Sequence, residues 1–184
     1  MEYDKSFLRE YSLDVARTAD GNSQLAYKIE GKFFEHFEKS QVQKGEVDIT
    51  LDIEKNRSHL DATFHLNGWV ELNCDRCGQP YEQPIENEFR IIFSFKETET
   101  KEEDEVVFVE RNEDQLSLIQ EFYDFIHLSL PMRKVPEPDI HLCDPEVLKL
   151  LGLDENGDPL PENEDEKEVD PRWAALKQLK DKFD

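Results

Sequence analysis

Two cysteines separated by two residues are the part of this sequence best suited to chemistry. The Cys-Asp-Arg-Cys motif at residues 74–77 follows an apolar segment and precedes Gly78 and Pro80, which indicates a turn at the end of a strand. A Cys-x-x-Cys turn can place two thiolates on one ion, and a glycine after it lets backbone amides tilt towards the sulfur atoms. The motif is therefore typical of one half of a zinc site.

A tetrahedral zinc site needs a second pair of ligands. Cys143 is the third cysteine of the chain, and His141 stands two residues before it. Cys74, Cys77, His141 and Cys143 could form a site with three sulfur atoms and one imidazole. His-x-Cys is an unusual spacing for such a site, so a second interpretation stays open, in which two reduced thiols pack in a turn without metal. A redox pair is disfavoured, because its reactive cysteine is expected at the start of a helix, whereas strand patterns flank this motif on both sides.

Outside the cysteine motif, the sequence gives no catalytic signature. It contains no glycine-rich phosphate loop, no Gly-x-Ser-x-Gly and no His-Glu-x-x-His. Acidic pairs are frequent in a chain with 44 acidic residues, so they do not indicate paired-carboxylate catalysis. We therefore expect a protein that is not an enzyme, that has no small-molecule substrate and that acts by binding.

Charge is distributed unevenly along the chain, whose formal net charge is −22. Residues 1–96 contain 18 acidic and 12 basic residues, whereas residues 97–184 contain 26 and 10. A field of this sign repels phosphates, so a basic protein partner is favoured over bare RNA. Contact with RNA would need a local basic patch, and three sparse groups are the candidates. They are Arg76, the pair Arg133-Lys134, and the C-terminal bases Arg172, Lys177, Lys180 and Lys182. Trp173, beside Arg172, is a further candidate for partner binding.

The sequence also indicates a compartment. The first residues form no apolar segment typical of a secretory signal, and no apolar run approaches the roughly 20 residues of a membrane helix. Three cysteines do not make a disulfide framework. The expected location is therefore the reducing cytoplasm, with no membrane contact.

Alternation of apolar and polar residues dominates the chain up to about residue 96 and predicts strands with one buried face. The alternation keeps its parity across Asn67-Gly68, which favours one bent or bulged strand over a hairpin turn at this point. The alternating apolar residues are Leu25, Tyr27 and Ile29; Val47, Ile49, Leu51 and Ile53; Leu60, Ala62, Phe64, Leu66, Val70, Leu72 and Cys74; and Phe89, Ile91, Phe93 and Phe95.

Helical spacing appears at three places before the acidic C-terminal region. Phe33, Phe34 and Phe37 predict a short helix, and a wide apolar stripe predicts a longer one over residues 113–128 that the sheet covers. A third, short helix is expected to start at Asp144-Pro145 and to stop at Gly152. Its predicted inward residues are Val147, Leu148 and Leu151.

These elements predict an α+β fold, in which a few helices cover an antiparallel sheet that could curl towards a barrel. The predicted sheet-rich domain spans residues 1–152. Residues 153–169 are predicted to be an acidic disordered linker, because they offer too little apolar surface to offset chain entropy. A C-terminal helix is predicted over residues 170–184, with Asp170 as its N-cap and Pro171 at its first position.

Four short motifs occur in an order that carries a family resemblance. They are Cys-Asp-Arg-Cys at 74–77 with Pro80, Leu-Ser-Leu-Pro at 128–131, Cys143, and Asp-Pro-Arg-Trp-Ala-Ala-Leu at 170–176. In this order they resemble the YceD family, the large ribosomal RNA subunit accumulation proteins. Two departures are Gly78, where many members have leucine, and the later cysteine segment, which is reduced to Cys143. The resemblance implies a non-enzymatic role in production of the large ribosomal subunit.

Three functions remain as hypotheses. The first is a factor for large-subunit biogenesis that binds a ribosomal RNA precursor or a basic ribosomal protein. The second is a metal or redox protein centred on Cys74 and Cys77, with zinc as the expected ion. The third is an acidic adaptor for a basic protein unrelated to ribosomes.

Overall fold

The structure is a computed structural model that describes residues 4–95, 106–109, 115–137, 140–154 and 159. The chain divides into two units, Met1–Leu142 and Cys143–Asp184. The helices of the first unit are α1 (Lys5–Glu10), α2 (Gly31–Phe34) and α3 (Ile119–Leu128). Its strands are β1 (Ser12–Asp14), β2 (Gly21–Glu30), β3 (Gly45–Lys55), β4 (His59–Asn73), β5 (Pro80–Ser94), β6 (Val106–Phe108) and β7 (Gln115–Ser117). Helix α4 (Pro145–Leu150) belongs to the second unit.

The first unit is built on a five-stranded sheet with the order β2-β3-β4-β5-β6. The pairs from β2 to β5 are antiparallel, and each strand follows its neighbour in the chain as a meander. Strand β6 pairs with the end of β5 in parallel, so the sheet is mostly antiparallel. The order of the described strands is linear and leaves the sheet open. The predicted α+β class is confirmed, and the sheet does not close into a barrel.

The predicted alternation is confirmed in β3 and β4, where every second side chain is buried on one face of the sheet. Strand β4 runs through Gly68 without a break, because Val47 pairs with Gly68 and Asp48 with Asn67 in one register. The predicted continuity is therefore confirmed, and the strand has no bulge here. Strand β2 lies at the sheet edge, and its Leu25 is 38% exposed, so only Ile29 of its three alternating residues is fully buried.

The expected cover of the sheet is α3, but the predicted start of this helix is wrong. The prediction placed a helix over 113–128, whereas Gln115–Ser117 forms a strand and the helix begins at Ile119. The backbone of Leu116 pairs with Leu13 of β1, which satisfies its polar groups in a ladder instead of a helical turn. Phe122 and Phe125 of α3 then pack on the sheet, with ring centroids 6.0 and 5.0 Å from that of Phe64.

Aromatic rings also hold the N-terminal elements in place. Phe33 of α2 is fully buried, as predicted for this short helix, and its ring lies 5.7 Å from Phe7 and 5.1 Å from Tyr11. Helix α1 and strands β1 and β7 were not predicted, because each spans six residues or fewer and shows no repeat of apolar spacing.

The second unit contains the predicted short helix. The Asp144 side chain accepts a hydrogen bond from the Glu146 backbone N–H at 2.9 Å, and Pro145 occupies the first turn. Gly152 ends the helix with φ 68°, as a left-handed C-terminal residue does. Leu148 is buried as predicted, whereas Leu151 is 55% exposed and does not point inward. Apart from Leu153, Asp154 and Pro159, the predicted acidic linker and the whole predicted C-terminal helix lie outside the described residues.

Candidate metal centre and acidic sheet face

The cysteine motif forms the turn of the longest hairpin in the described sheet, between β4 and β5. The Cys74 N–H donates to the Gln79 carbonyl at 2.9 Å, and the Gly78 N–H donates to the Cys74 carbonyl at 2.8 Å. Gly78 adopts φ 74°, which a residue with a Cβ atom reaches only at a cost. In this turn the Arg76 N–H points at the Cys74 Sγ atom, at 3.4 Å. The sequence thus folds both cysteines inward around one point.

A reciprocal pair of hydrogen bonds ties this turn to the segment after α3. The Asp75 N–H donates to the Lys134 carbonyl at 2.9 Å, and the Lys134 N–H donates to the Asp75 carboxylate at 2.8 Å. Sequence reasoning assigned no role to Asp75, and no sequence signal pointed to its distant partner Lys134. The carboxylate fixes the distance between the hairpin and the segment that leads to His141.

His141 reaches the cysteine turn from that segment. A turn at Glu137 holds its backbone, because the Glu137 carbonyl accepts from the N–H groups of Ile140 at 3.0 Å and His141 at 3.1 Å. The imidazole Nε2 lies 3.1 Å from Cys77 Sγ. The ligand atoms of Cys74, Cys77 and His141 all lie within 4.8 Å of one another. Three of the four predicted ligands therefore converge within the first unit.

The cysteines of the cluster are shielded from solvent. Cys74 is 2% and Cys77 8% exposed, and His141 is half-buried beside Tyr81, with ring centroids 5.8 Å apart. None of the three cysteines, all of which are described residues, forms a disulfide. Cys143, the fourth predicted ligand, is half-buried and is the first residue of the second unit.

Tyr81 responds to the electrostatics of this site. Burial raises its pKa, and negative charge on Cys74 and Asp75 raises it further. The phenol therefore stays protonated at neutral pH, and its hydroxyl donates to the Gln83 side-chain oxygen at 3.2 Å. Tyr81 therefore lines the cluster as an uncharged side chain.

The predicted partner-binding residues fall in two places. Arg76 lies in the cysteine turn and is half-buried. Arg172 and Trp173 lie outside the described residues. The redox interpretation receives no support from the location of the motif, because Cys74 and Cys77 stand between two antiparallel strands.

A second feature, which the sequence reasoning missed, is the solvent-facing side of the sheet. On this side ten residues of β2 to β5 carry carboxylates, whereas Lys28 and Arg90 carry the cations. The signal was present in the sequence, because these acids occupy the positions that alternate with the buried apolar ones. We call this surface the acidic sheet face. Its carboxylates belong to Glu30, Glu46, Asp48, Asp52, Glu54, Asp61, Glu71, Glu82, Glu86 and Glu88.

Both cations of the acidic sheet face already have carboxylate partners. The Lys28 Nζ atom lies 2.6 Å from Glu46, and the Arg90 guanidinium donates through Nε to Asp61 at 2.8 Å. The hydrogen bond from Arg90 lowers the pKa of Asp61, and burial opposes this shift. A third carboxylate, Glu71, pairs with Lys44, the residue before β3, at 3.0 Å. Because ten carboxylates face these three cations among the described residues, the face keeps an excess of negative charge.

A histidine and a tryptophan interrupt the carboxylates. His65 lies between two of them, with Nε2 3.1 Å from Asp52 and Nδ1 3.2 Å from Glu88. Trp69 is half-buried and stands opposite Glu46 on one neighbouring strand and Pro84 on the other. The face thus combines negative charge with one large aromatic surface.

Fold and site together define an α+β protein whose open sheet carries carboxylates on one face and whose longest hairpin ends in a cysteine–histidine cluster. The family model described as large ribosomal RNA subunit accumulation protein YceD matches residues 62–180, which is more than half of the chain. The chain therefore belongs to the YceD family. No curated protein and no solved structure matches it. The structure contains no helix, among the described residues, that is long and apolar enough to cross a membrane.

Proposed function

We propose that this protein is a non-enzymatic, cytoplasmic factor for biogenesis of the large ribosomal subunit that acts by binding a ribosomal component. Membership of the family supports the process, because the family is described by accumulation of the large ribosomal RNA subunit. The mode of action is inferred from the surface. The single observation that carries it is the excess of carboxylates on the acidic sheet face.

The charge of this face favours a basic ribosomal protein over the RNA precursor as the direct partner. Among the described residues, ten carboxylates face three cations, Lys28, Lys44 and Arg90, so phosphates would be repelled, whereas lysine and arginine side chains would be attracted. Complementary charge mainly raises the association rate and selects the partner. Trp69, half-buried on this face, is a candidate for a dominant contact, since tryptophan is enriched among the residues that carry most of the binding energy of interfaces. Arg76, Arg172 and Trp173 remain predicted partner contacts.

The first test is sedimentation of cell lysate on sucrose gradients at low salt, followed by cross-linking and identification of the bound molecules. We expect the protein to sediment with precursors of the large subunit and to cross-link to a basic ribosomal protein. This cross-link should persist after the RNA has been digested with ribonuclease. Sedimentation only with free proteins would contradict the ribosomal role. A cross-linked basic protein from outside the ribosome would favour the adaptor hypothesis instead.

A charge-reversal pair tests the acidic sheet face itself. Glu82→Lys with Glu86→Lys changes two exposed residues of this face, and Glu35→Lys with Glu38→Lys makes the same change in net charge elsewhere on the first unit. We expect the first variant to lose co-sedimentation at least several-fold more than the second, with unchanged thermal stability in both. Equal losses would mean that net charge, not this face, governs binding.

A further inference from the structure

We propose that Cys74, Cys77 and His141 bind one structural zinc ion that joins the β4–β5 hairpin to the segment carrying His141. This inference does not depend on the proposed ribosomal function. It rests on the position of three ligand atoms in the first unit and on the geometry of the turn that holds two of them.

The separations of the ligand atoms fit a tetrahedral ion. Zinc lies about 2.3 Å from a thiolate and about 2.0 Å from an imidazole nitrogen, so two ligands of one ion lie about 3.5 to 3.8 Å apart. Cys77 Sγ and His141 Nε2 are 3.1 Å apart, and the three ligand atoms lie within 4.8 Å of one another. Shifts of roughly 1 Å or less in these separations bring all three ligand atoms to the spacing of one tetrahedral ion.

The turn is preorganised for a metal-bound thiolate. The Arg76 N–H that points at Cys74 Sγ would stabilise negative charge on the sulfur, as charge-assisted hydrogen bonds do. Gly78, with φ 74° and open space around its Cα, closes the turn so that Cys77 faces the same point as Cys74. The two bonds between Asp75 and Lys134 then fix the approach of the segment that brings His141.

The donor set selects zinc among common metal ions. Thiolate and imidazole ligands suit zinc, whereas magnesium and calcium prefer oxygen. The sequence predicts Cys143 as the fourth ligand, and this ligand stays a prediction that the variants below test.

The test is metal analysis of the full-length protein after reconstitution with zinc under reducing conditions and passage through a metal-free column. We expect about one zinc per chain in the wild type, and a cobalt-substituted form with the absorption of tetrahedral thiolate coordination. A chelator should lower the melting temperature. Wild-type protein that retains no zinc and shows no such cobalt spectrum would overturn the proposal.

Matched histidine variants show which imidazole is a ligand. His141→Ala should weaken zinc binding at least tenfold in competition with a chromophoric chelator, whereas His59→Ala, a half-exposed histidine of β4, should bind as the wild type does. Equal affinity in both variants would remove His141 from the site. Because the readout is affinity in a folded protein, circular dichroism of each variant separates ligand loss from unfolding.

Cysteine variants test the remaining ligands. Cys77→Ser should abolish stoichiometric zinc, and Cys143→Ser should weaken it at least tenfold and change the cobalt charge-transfer intensity. Unchanged zinc in Cys77→Ser would overturn the site, and unchanged zinc in Cys143→Ser would overturn the sequence prediction of the fourth ligand. If Cys77→Ser does not fold, thiol titration of the wild type, which should release zinc as cysteines react, gives the same answer.

Discussion

The two faces of the sheet are made by the same strands but have opposite chemistry. On the inner face, β3 and β4 bury Leu51, Leu60 and Phe64 completely, and α3 packs two phenylalanine rings on Phe64. On the outer face the intervening residues are mostly carboxylates, which stay in water. The inner face accounts for the fold through apolar burial, whereas the outer face contributes little to folding and is available for recognition. Substitutions on the two faces should therefore have unequal effects on stability.

The largest difference should appear between two consecutive residues of β4. Phe64→Ala removes a fully buried ring that packs on Phe122 and Phe125, and it should lower the free energy of unfolding by about 3–5 kcal/mol. Thr63→Ala changes the neighbouring residue on the outer face and should cost less than about 1 kcal/mol. Urea denaturation of both variants measures the contrast, and similar losses would contradict the assignment of the two faces.

The residue type at Gly68 is set by neither face of the sheet. The backbone of β3 approaches this position so closely that no side chain fits. A Cβ atom here would lie 2.1 Å from the Glu46 carbonyl oxygen and 2.7 Å from the Val47 Cα atom. Gly68→Ala should therefore cost about 1–3 kcal/mol through displacement of paired backbone.

Gly21→Ala is the matched control for Gly68→Ala. This glycine has φ 94° but open space around it, so the substitution should cost only about 1–2 kcal/mol of backbone strain and leave the sheet register unchanged. Hydrogen exchange of the β3 and β4 amides distinguishes the two, because only Gly68→Ala should speed exchange in this pair. Normal protection in Gly68→Ala would show that the strands absorb the extra methyl group.

The sequence predicted the parts of the fold that have a long repeat. The alternation from Val47 to Ile53 and from Leu60 to Cys74 determines which face of each strand is buried, since a shift by one residue would expose the whole set. The sequence also predicted a short strand over residues 106–109, where β6 lies, but not the parallel pairing of β6 with β5 or the pairing of β1 with β7. These strands have three residues each, so their partners depend on tertiary packing and not on a repeat.

The sequence predicted the ligand residues of the candidate site, but not the hydrogen bonds that position them. Spacing alone identified Cys74 and Cys77, and the scarcity of soft ligands pointed to His141. The anchoring role of Asp75 could not be found, because its partner Lys134 is 59 residues away and contributes only backbone atoms. The acidic sheet face could have been found, because its carboxylates follow from the same alternation that predicted the core.

Two carboxylates on opposite sides of the sheet should give opposite dependence of stability on pH. Glu121 of α3 has a side-chain oxygen, Oε2, that is buried without a hydrogen-bond partner among the described residues, and burial raises its pKa above the ordinary value of 4.5. The contribution of protonated Glu121 to the free energy of unfolding is complete below pH 4.5. It is lost as the pH rises through the folded-state pKa. Glu121→Gln should therefore stabilise the protein at neutral pH, by less than Gly68→Ala destabilises it.

The gain from Glu121→Gln should shrink as the pH falls. Urea denaturation between pH 5 and pH 8 measures it, and Glu35→Gln, which removes the same charge at an exposed position, is the control for effects of net charge. A gain that stays constant over this range would mean that Glu121 is ionised without penalty in the folded protein.

The smallest effect is expected for the ion pair between Asp61 and Arg90 on the outer face. The hydrogen bond from Arg90 lowers the pKa of Asp61 below 3.8, so the contribution of this pair is complete above that pH and is lost as the pH falls through the folded-state pKa. Because the Arg90 side chain is 59% exposed, a double-mutant cycle with Asp61→Asn and Arg90→Gln should give a coupling of only about 0.2–1 kcal/mol, which salt reduces. A coupling well above this range would mean that the acidic sheet face contributes to the fold as the inner face does, and its carboxylates could no longer be assigned to recognition alone.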